Sequence, residues 1–259
     1  MLSEVRELVE AGYRDITLLG QNVNSYGNDL GSGYDFADLL SEIDRIPGDY
    51  WIRFMSSHPK DATRKLFDTM ARCSHVAKQL HLPFQSGSDR VLREMNRRYT
   101  REQYLELIAY ARSLMPELVV TSDVIIGFPG ETEAEAMETV SLVEEVGFDA
   151  LFTFLLPPPG TKAAELPDPF PRAEKQKWFD KLLEVQNAKS AALHAAYVGK
   201  TVQVLVDGES GDGEFPLSSR TEGNRLVRLK GGKELIGKFI HVRITGSNTW
   251  ALYGEAVQR

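Results

Sequence analysis

Short apolar segments alternate with amphipathic helical patterns through the first 155 residues, and this alternation limits the fold more than any other feature. Strand-like segments fall at Ile16–Leu19, Trp51–Phe54, Gln79–Leu82, Leu118–Ile126 and Leu151–Phe154. Between them, one helical face carries Phe36, Leu39, Leu40 and Ile43, and another Tyr104, Leu105, Leu107, Ile108 and Ala111. Thr100 with Gln103, and Thr132 with Glu135, have the spacing of capping boxes. Strand onsets recur roughly every 30 to 40 residues, the period of βα units, because parallel neighbours need a crossover helix. A closed eight-stranded barrel would need roughly 250 residues for itself. The expectation is therefore an α/β fold with a partial (βα) barrel of about five parallel strands. The chain opens on a helical pattern (Leu2, Val5, Leu8, Val9), which points to a strand missing before it.

The pattern changes twice. Residues 155–171 are rich in proline, with Pro157-Pro158-Pro159-Gly160 followed by Pro167, Pro169 and Pro171, a stiff loop that ends the barrel. A long helix then runs from about Pro171 to Tyr197, with Trp178, Leu182, Val185 and Leu193 spaced for one buried face and Pro171 suited to its first turn. The last stretch alternates apolar and polar residues over Thr201–Asp207, Arg225–Leu229, Lys238–Thr245 and Trp250–Gly254, separated by Gly-containing turns. That pattern predicts a small antiparallel β-barrel. The expected division is a partial barrel over 1–170, a linker helix packed on it over 171–197, and the small β-barrel over 198–259.

Charge and cysteine content exclude some functions. The net charge is −7, but residues 198–259 hold nine Lys/Arg against seven Asp/Glu while the rest holds 21 against 30. The two parts differ in sign, which points to a different partner for the tail. One cysteine, Cys73, cannot build a disulfide or a multi-thiolate metal site, and its helix-end position reads as structural. The five histidines show no metal-ligand spacing. No apolar run is long enough to cross a bilayer and the amino terminus has no signal-peptide core, so the expectation is a cytoplasmic chain with no membrane partner.

In parallel βα folds, ligands bind outside the carboxyl ends of the strands. The residues there are Gly20-Gln21-Asn22-Val23-Asn24, Ser56-Ser57-His58-Pro59, Pro83-Phe84-Gln85-Ser86-Gly87-Ser88, Gly127-Phe128-Pro129-Gly130-Glu131 and Pro157-Pro158-Pro159-Gly160. Amides, hydroxyls, Gly and Pro dominate, which suits hydrogen bonding to a polar ligand with close backbone approach and does not suit a charged acid–base site. Asp123, inside the longest strand, needs a partner or a ligand if it points into the barrel. In the tail, Arg220, Arg225, Arg228, Lys230 and Lys233 fall within 14 residues interrupted by one acid, Glu222. Several alternate on a strand, which predicts one basic face for phosphate contact.

The same loops resemble MiaB-type tRNA methylthiotransferases of the radical SAM family. The resemblance is carried by Ile16-Thr17-Leu18-Leu19-Gly20-Gln21-Asn22-Val23-Asn24-Ser25-Tyr26-Gly27, by His81-Leu82-Pro83-Phe84-Gln85-Ser86-Gly87-Ser88-Asp89, by Met95-Asn96-Arg97-Arg98-Tyr99-Thr100 and by the run from Thr121 to Thr132. The end of the chain, Thr249-Trp250-Ala251-Leu252-Tyr253-Gly254-Glu255, resembles their TRAM domain. The resemblance covers essentially the whole chain and corresponds to the carboxyl-terminal part of such enzymes. It implies methylthiolation at C2 of an isopentenylated adenosine beside the tRNA anticodon. The implied cofactors are S-adenosylmethionine, one iron–sulfur cluster that cleaves it to a 5′-deoxyadenosyl radical, and a second cluster that supplies sulfur. It further implies Gln21, Asn22, Gln85, Ser86, Asp123 and Glu131 around S-adenosylmethionine or the flipped adenosine, and tRNA as the partner of the tail.

The departures bear on activity. The family holds its radical cluster with a C-x-x-x-C-x-x-C loop and its second cluster with three cysteines of an amino-terminal domain; this sequence has neither. A chain with one thiol is expected to bind no cluster and to be inactive alone, with the cluster domain of the same protein as its missing partner. Leu155-Leu156-Pro157-Pro158-Pro159-Gly160-Thr161 also lacks the tyrosine and arginine of the family's last loop. Alternatives are a stand-alone RNA-binding module on a disabled barrel, part of a ribosomal-protein methylthiotransferase, and a cluster-free barrel enzyme acting on a phosphorylated metabolite.

Overall fold

A computed structural model describes residues 1–155, 160 and 162–257; the atypical proline loop read in the sequence lies mostly outside them. In chain order the elements are α1 (Leu2–Glu10), β1 (Asp15–Leu18), α2 (Phe36–Ile43), β2 (Trp51–Phe54), α3 (Arg64–Arg72), β3 (Gln79–His81), α4 (Asp89–Glu94), α5 (Arg101–Leu114), β4 (Val119–Ile126), α6 (Glu133–Val146) and β5 (Ala150–Leu155). Then follow α7 (Arg172–Ala195), β6 (Thr201–Glu209), β7 (Leu217–Thr221), β8 (Leu226–Lys230), β9 (Phe239–Ser247) and β10 (Leu252–Ala256). Both expected capping boxes are present, at Thr100/Gln103 and Thr132/Glu135.

All five strands of the first region run parallel. β1 pairs with β2, and β3 with β4 with β5. The two sets join where Ile52 N donates to His75 O (2.7 Å) and Ala77 N to Ile52 O (2.9 Å). On β4, Val120, Val124 and Ile126 are buried within the core that also holds Phe84, Tyr104, Ala136, Val143 and Phe148. Thr121, Asp123 and Ile125 alternate with them and are half-buried, facing the concave side. β5 exposes Phe152 and Phe154 on that side, opposite Asp123 and Ile125. The half-barrel therefore has one face sealed by helices and one open.

α7 packs on α6 and β5 and buries Trp178 and Leu182 in the same core. Two details differ from the sequence reading. Pro171 occupies the N-cap position and not the first turn. His194 takes the buried position near the helix end in place of Leu193, its Nδ1 lying 2.8 Å from Asn248 O.

The tail is a closed five-stranded barrel in the order β10-β8-β7-β6-β9, filled by Val204, Val206, Val227, Leu229, Val242, Ile244 and Leu252. Its ladders are not all antiparallel, as the sequence had suggested: β8 and β10 pair in parallel, which is how the barrel closes. The fifth strand, β7, is an addition to the four expected. Its inward positions are Leu217, Ser219 and Thr221, and the Ser219 hydroxyl satisfies itself on Val227 O at 2.8 Å.

The turn between β7 and β8 seats on the amino-terminal ends of the parallel strands. Arg53, buried on β2, binds Asp15 through Nε at 2.9 and 3.0 Å, Gln79 Oε1 at 2.9 Å, Glu222 O at 2.5 Å and Thr221 O at 3.2 Å. A Cβ at Gly223 would overlap Val119 Cγ2 at the start of β4, so the close approach requires glycine. Trp51, Ala77 and Leu205 form a small apolar cluster across the same seam, with Phe239 edge-on to Trp51 at 4.7 Å.

A polar cleft at the carboxyl ends of the strands

A cleft of about 280 Å³ opens at the other end of the strands. The loop after β1 contributes Gln21 and Asn22; the loop after β2 contributes Ser56, Ser57, His58 and Pro59; β3 and its loop contribute His81, Pro83 and Gln85; β4 contributes Asp123. Four of the residues singled out in the sequence, Gln21, Asn22, Gln85 and Asp123, therefore meet at one place. His81 bridges the concave face, with Nδ1 3.0 Å from Thr121 Oγ1 and Nε2 3.4 Å from Asp123 Oδ1.

Two features mark the cleft as more than loop packing. First, Asn22 Oδ1, Ser57 Oγ and Arg97 Nε are buried without a hydrogen-bond partner, and all three residues line the cleft. A buried orphan polar atom costs about 1–3 kcal/mol. Asn22 is fixed in place by donating from Nδ2 to Asp61 Oδ2 at 2.6 Å, which leaves its carbonyl oxygen free. Second, Ser56 (φ 65°) and Gln85 (φ 66°) both occupy the left-handed region, an uncommon and strained choice for these residue types that concentrates at functional sites. Gln85 is held there by parallel-strand bonds: its N donates to Asp123 O at 3.0 Å and its O accepts from Ile125 N at 2.9 Å.

His58 and Arg97 share one wall, with Nε2 and Nη1 3.2 Å apart. Burial, and next the Arg97 guanidinium, pull the His58 imidazole below its ordinary value. Arg97 was missed as a candidate because it follows a helix, where the strand-end rule does not look. It sits inside a motif that carried the family resemblance, and that was the available signal.

Two candidates are placed elsewhere. Ser86 is buried behind the rim, accepting from Ser88 N at 3.2 Å and 3.4 Å from Thr139 Oγ1. Glu131 is fully enclosed and accepts from Gly127 N at 2.5 Å and Phe128 N at 3.2 Å through Oε2, while Oε1 has no partner. Burial raises its carboxyl to about 7 against the pull of those two amides. The buried Lys175 ammonium secures the same loop, donating to Gly127 O at 2.9 Å and pairing with Asp168. Neither Ser86 nor Glu131 lines the cleft; Ser86 sits in the loop that contributes Pro83 and Gln85, whereas the Gly127–Glu131 loop contributes no residue to it.

The tail cations also separate. Arg225 does not join a basic face. It is buried at the seam, pairs with Asp149 and donates to Tyr197 OH at 2.7 Å, with its guanidinium 4.6 Å from the Tyr197 ring. Burial raises the Asp149 carboxyl even with Arg225 beside it. Arg228 and Lys230 share the outward face of β8, and Arg220 that of β7. Each is paired: Arg220 with Asp207 (3.5 Å), Arg228 with Asp212 (3.2 Å), Lys230 with Glu255 (3.2 Å), and Lys233, beyond the strand, with Glu209 (2.9 Å). The face is charge-balanced, not simply basic. Arg220 also borders a cavity of about 440 Å³ between β5, α7 and the tail, whose lining includes the exposed Trp250.

A polar, partly desolvated cleft with a carboxylate, a guanidinium and free amide and hydroxyl acceptors fits a zwitterionic nucleoside such as S-adenosylmethionine. The chain does not fit an iron–sulfur cluster. Cys73 is buried at the end of α3, its thiol pushed up by burial and next by Asp44, and no group of three or more His, Cys, Asp or Glu placed for a metal occurs among the described residues. Among them, too, no helix is long and apolar enough to cross a membrane.

Comparison with known proteins fits this geometry. Residues 1–143 match the radical SAM superfamily and residues 195–257 the TRAM domain. The tRNA-2-methylthio-N(6)-dimethylallyladenosine synthase of Desulfitobacterium hafniense is 46% identical over 98% of this chain and 57% of its own length. Those of Acetivibrio thermocellus (45%, 54% of its length) and Thermoanaerobacter sp. (46%, 55% of its length) match over the full chain. The chain thus spans about half the length of the curated relatives it matches. With five parallel strands, a rim cleft at their carboxyl ends and a closed tail barrel, the chain belongs to the radical SAM superfamily and carries a TRAM domain at its carboxyl end.

Proposed function

We propose that this chain forms the nucleoside-binding and RNA-facing part of a cytoplasmic tRNA methylthiotransferase acting on an isopentenyl-type adenosine beside the anticodon. The observation that carries the reading is the convergence of Asn22 Oδ1, Ser57 Oγ and Arg97 Nε, all buried and unpartnered, in one cleft with Gln21, Gln85 and Asp123. Relatives 45–46% identical along the chain bear the name of that synthase. In this reading residues 1–170 hold the cleft, 171–197 brace it, and 198–259 contact tRNA.

The roles of the side chains follow from their placement. Asp123 and Arg97 offer opposite charges to the ammonium and carboxylate ends of S-adenosylmethionine. Asn22 and Ser57 offer acceptors to its hydroxyl or amino groups, and Gln21 and Gln85 flank the opening. Ser86 is a positioning residue in the loop that presents Gln85, and Glu131 holds the neighbouring loop after β4, outside the cleft lining. What the bound sulfonium nucleoside supplies is a carbon radical on one-electron reduction, which an inert aromatic C–H requires and acid–base groups cannot replace. No side chain here delivers that electron, so the 259 residues by themselves are inactive.

A chimera tests the proposal. This chain replaces the matching stretch of the Desulfitobacterium hafniense synthase in a host lacking methylthiolated tRNA, and tRNA nucleosides are read by mass spectrometry. The 2-methylthio nucleoside should form, and Asp123→Ala should abolish it with the chimera still folded. A folded chimera that forms none would overturn the reading.

A further inference from the structure

Beside the rim cleft lies a second depression of about 360 Å³. Pro59 lines both, and Tyr99 of the second meets His58 of the first edge to face at 5.8 Å. Arg97 and Arg98 are neighbours in sequence and diverge. Asn96, in the left-handed region at φ 55°, precedes them, and Arg97 lines the first cleft while Arg98 lines the second.

The second depression is electropositive. Lys60, Arg64 and Arg98 line it against one carboxylate, Glu106, and all three cations are exposed. They are poorly neutralised. Lys60 Nζ stands 3.9 Å from Asp61, at the limit of contact, and Arg64 and Arg98 form no ion pair among the described residues. Arg64 instead lies over the Tyr110 ring at 4.5 Å, which holds the guanidinium plane while leaving its edge free to donate. Tyr110 is itself anchored by donating to Asp68 Oδ1 at 2.7 Å. The tail face shows the opposite state, with each outward cation matched to a carboxylate.

We propose that this depression binds the phosphodiester backbone of the RNA whose base enters the rim cleft. The proposal rests on the RNA reading above and adds the place where the strand is gripped. A nucleotide drawn into the first cleft carries phosphates at its 5′ and 3′ sides, and Pro59 lines both depressions with Tyr99 beside it. Three exposed cations, two of them without an ion pair among the described residues, meet that backbone as it leaves. Such contacts fix register and do not read sequence, which leaves base selection to the rim cleft.

The test uses the full 259-residue chain and a fluorescein-labelled RNA hairpin with an adenosine-containing loop, by anisotropy over a salt series. In Arg64→Gln/Arg98→Gln, affinity at low salt should fall about tenfold, and the slope of log affinity against log salt should become shallower by about 1.4, two contacts at ~0.7 each for single strands. Both side chains are exposed, and an unchanged thermal melt checks the fold. Arg64→Lys/Arg98→Lys should recover most of the slope. Wild-type affinity and slope in the glutamine variant would overturn the proposal while leaving RNA binding intact. Absence of hairpin binding by the wild-type chain would overturn the RNA reading and the proposal together. Inorganic phosphate at matched ionic strength should not displace the hairpin; displacement down to the level of the glutamine variant would assign the depression to a free anion instead.

Discussion

The two ends of the parallel strands bury polar groups in opposite ways. At the amino-terminal end, Arg53 spends its donors on Asp15, Gln79 and two carbonyls of the tail turn. At the carboxyl end, Asn22, Ser57 and Arg97 each hide an atom with nothing to bond, and Ser56 and Gln85 hold strained backbones. The same fold thus leaves one buried atom, Arg225 Nε, unpartnered where two parts of itself meet, against three gathered in the single rim cleft. Burying several orphaned polar atoms in one place is costly, and this clustering is what supports the ligand-binding role proposed for the rim.

The comparison can be broken by substitution. Arg53→Ala should cost the most, about 3–5 kcal/mol in urea denaturation, because it strands buried partners on both sides of the seam. A loss below about 1 kcal/mol would show that the seam is no more committed than the rim. Glu131→Gln should come next, and its effect depends on pH. Between the ordinary carboxylate value of about 4.5 and the folded value of about 7, the unfolded chain ionises while the folded chain stays protonated. Stability therefore falls as pH rises through that window, by about 3 kcal/mol, and the loss is complete above it. The glutamine variant should lack this fall, so a stability difference that stays flat from pH 4.5 to 7.5 would refute the assignment. Glu135 acts in a separate window. Arg90 holds it down to about 2, so its contribution is lost only as pH drops below the carboxylate range. The smallest effects belong to the rim. Ser56→Gly should stabilise the chain by up to about 1 kcal/mol by relieving its left-handed backbone, and Ser57→Ala, which removes a buried hydroxyl without a partner, should stabilise it by about 1 kcal/mol. A loss of 2 kcal/mol or more in either would mean that the rim is a structural network after all.

Much of this was legible before the fold. All five parallel strands fall within a residue or two of their apolar segments, and both capping boxes hold because their side chains act over one helical turn. What escaped depends on contacts far apart in sequence. β7 was hidden because its inward residues include Ser219 and Thr221, so no apolar alternation betrays it. Arg225 looked like part of a basic stripe, but it stands one residue before β8, in a turn where strand parity does not apply, and Asn224 at φ 65° redirects it to Asp149. Glu131 followed a strand as a ligand group should, yet its carboxylate folds back onto the amides of its own loop. Position after a strand locates a loop; it does not fix which side chains turn outward.

Gly223 lies against Val119, and Asp123 stands four residues further along the same strand. At ~3.3 Å per residue that is about 13 Å, and a hydrogen-bonded strand neither stretches nor bends by much. The seam therefore makes the chain a calliper. In the proposed reading, an RNA held on the tail barrel would have to span this fixed distance to reach the cleft, so length along the strand would help set which nucleotide is presented.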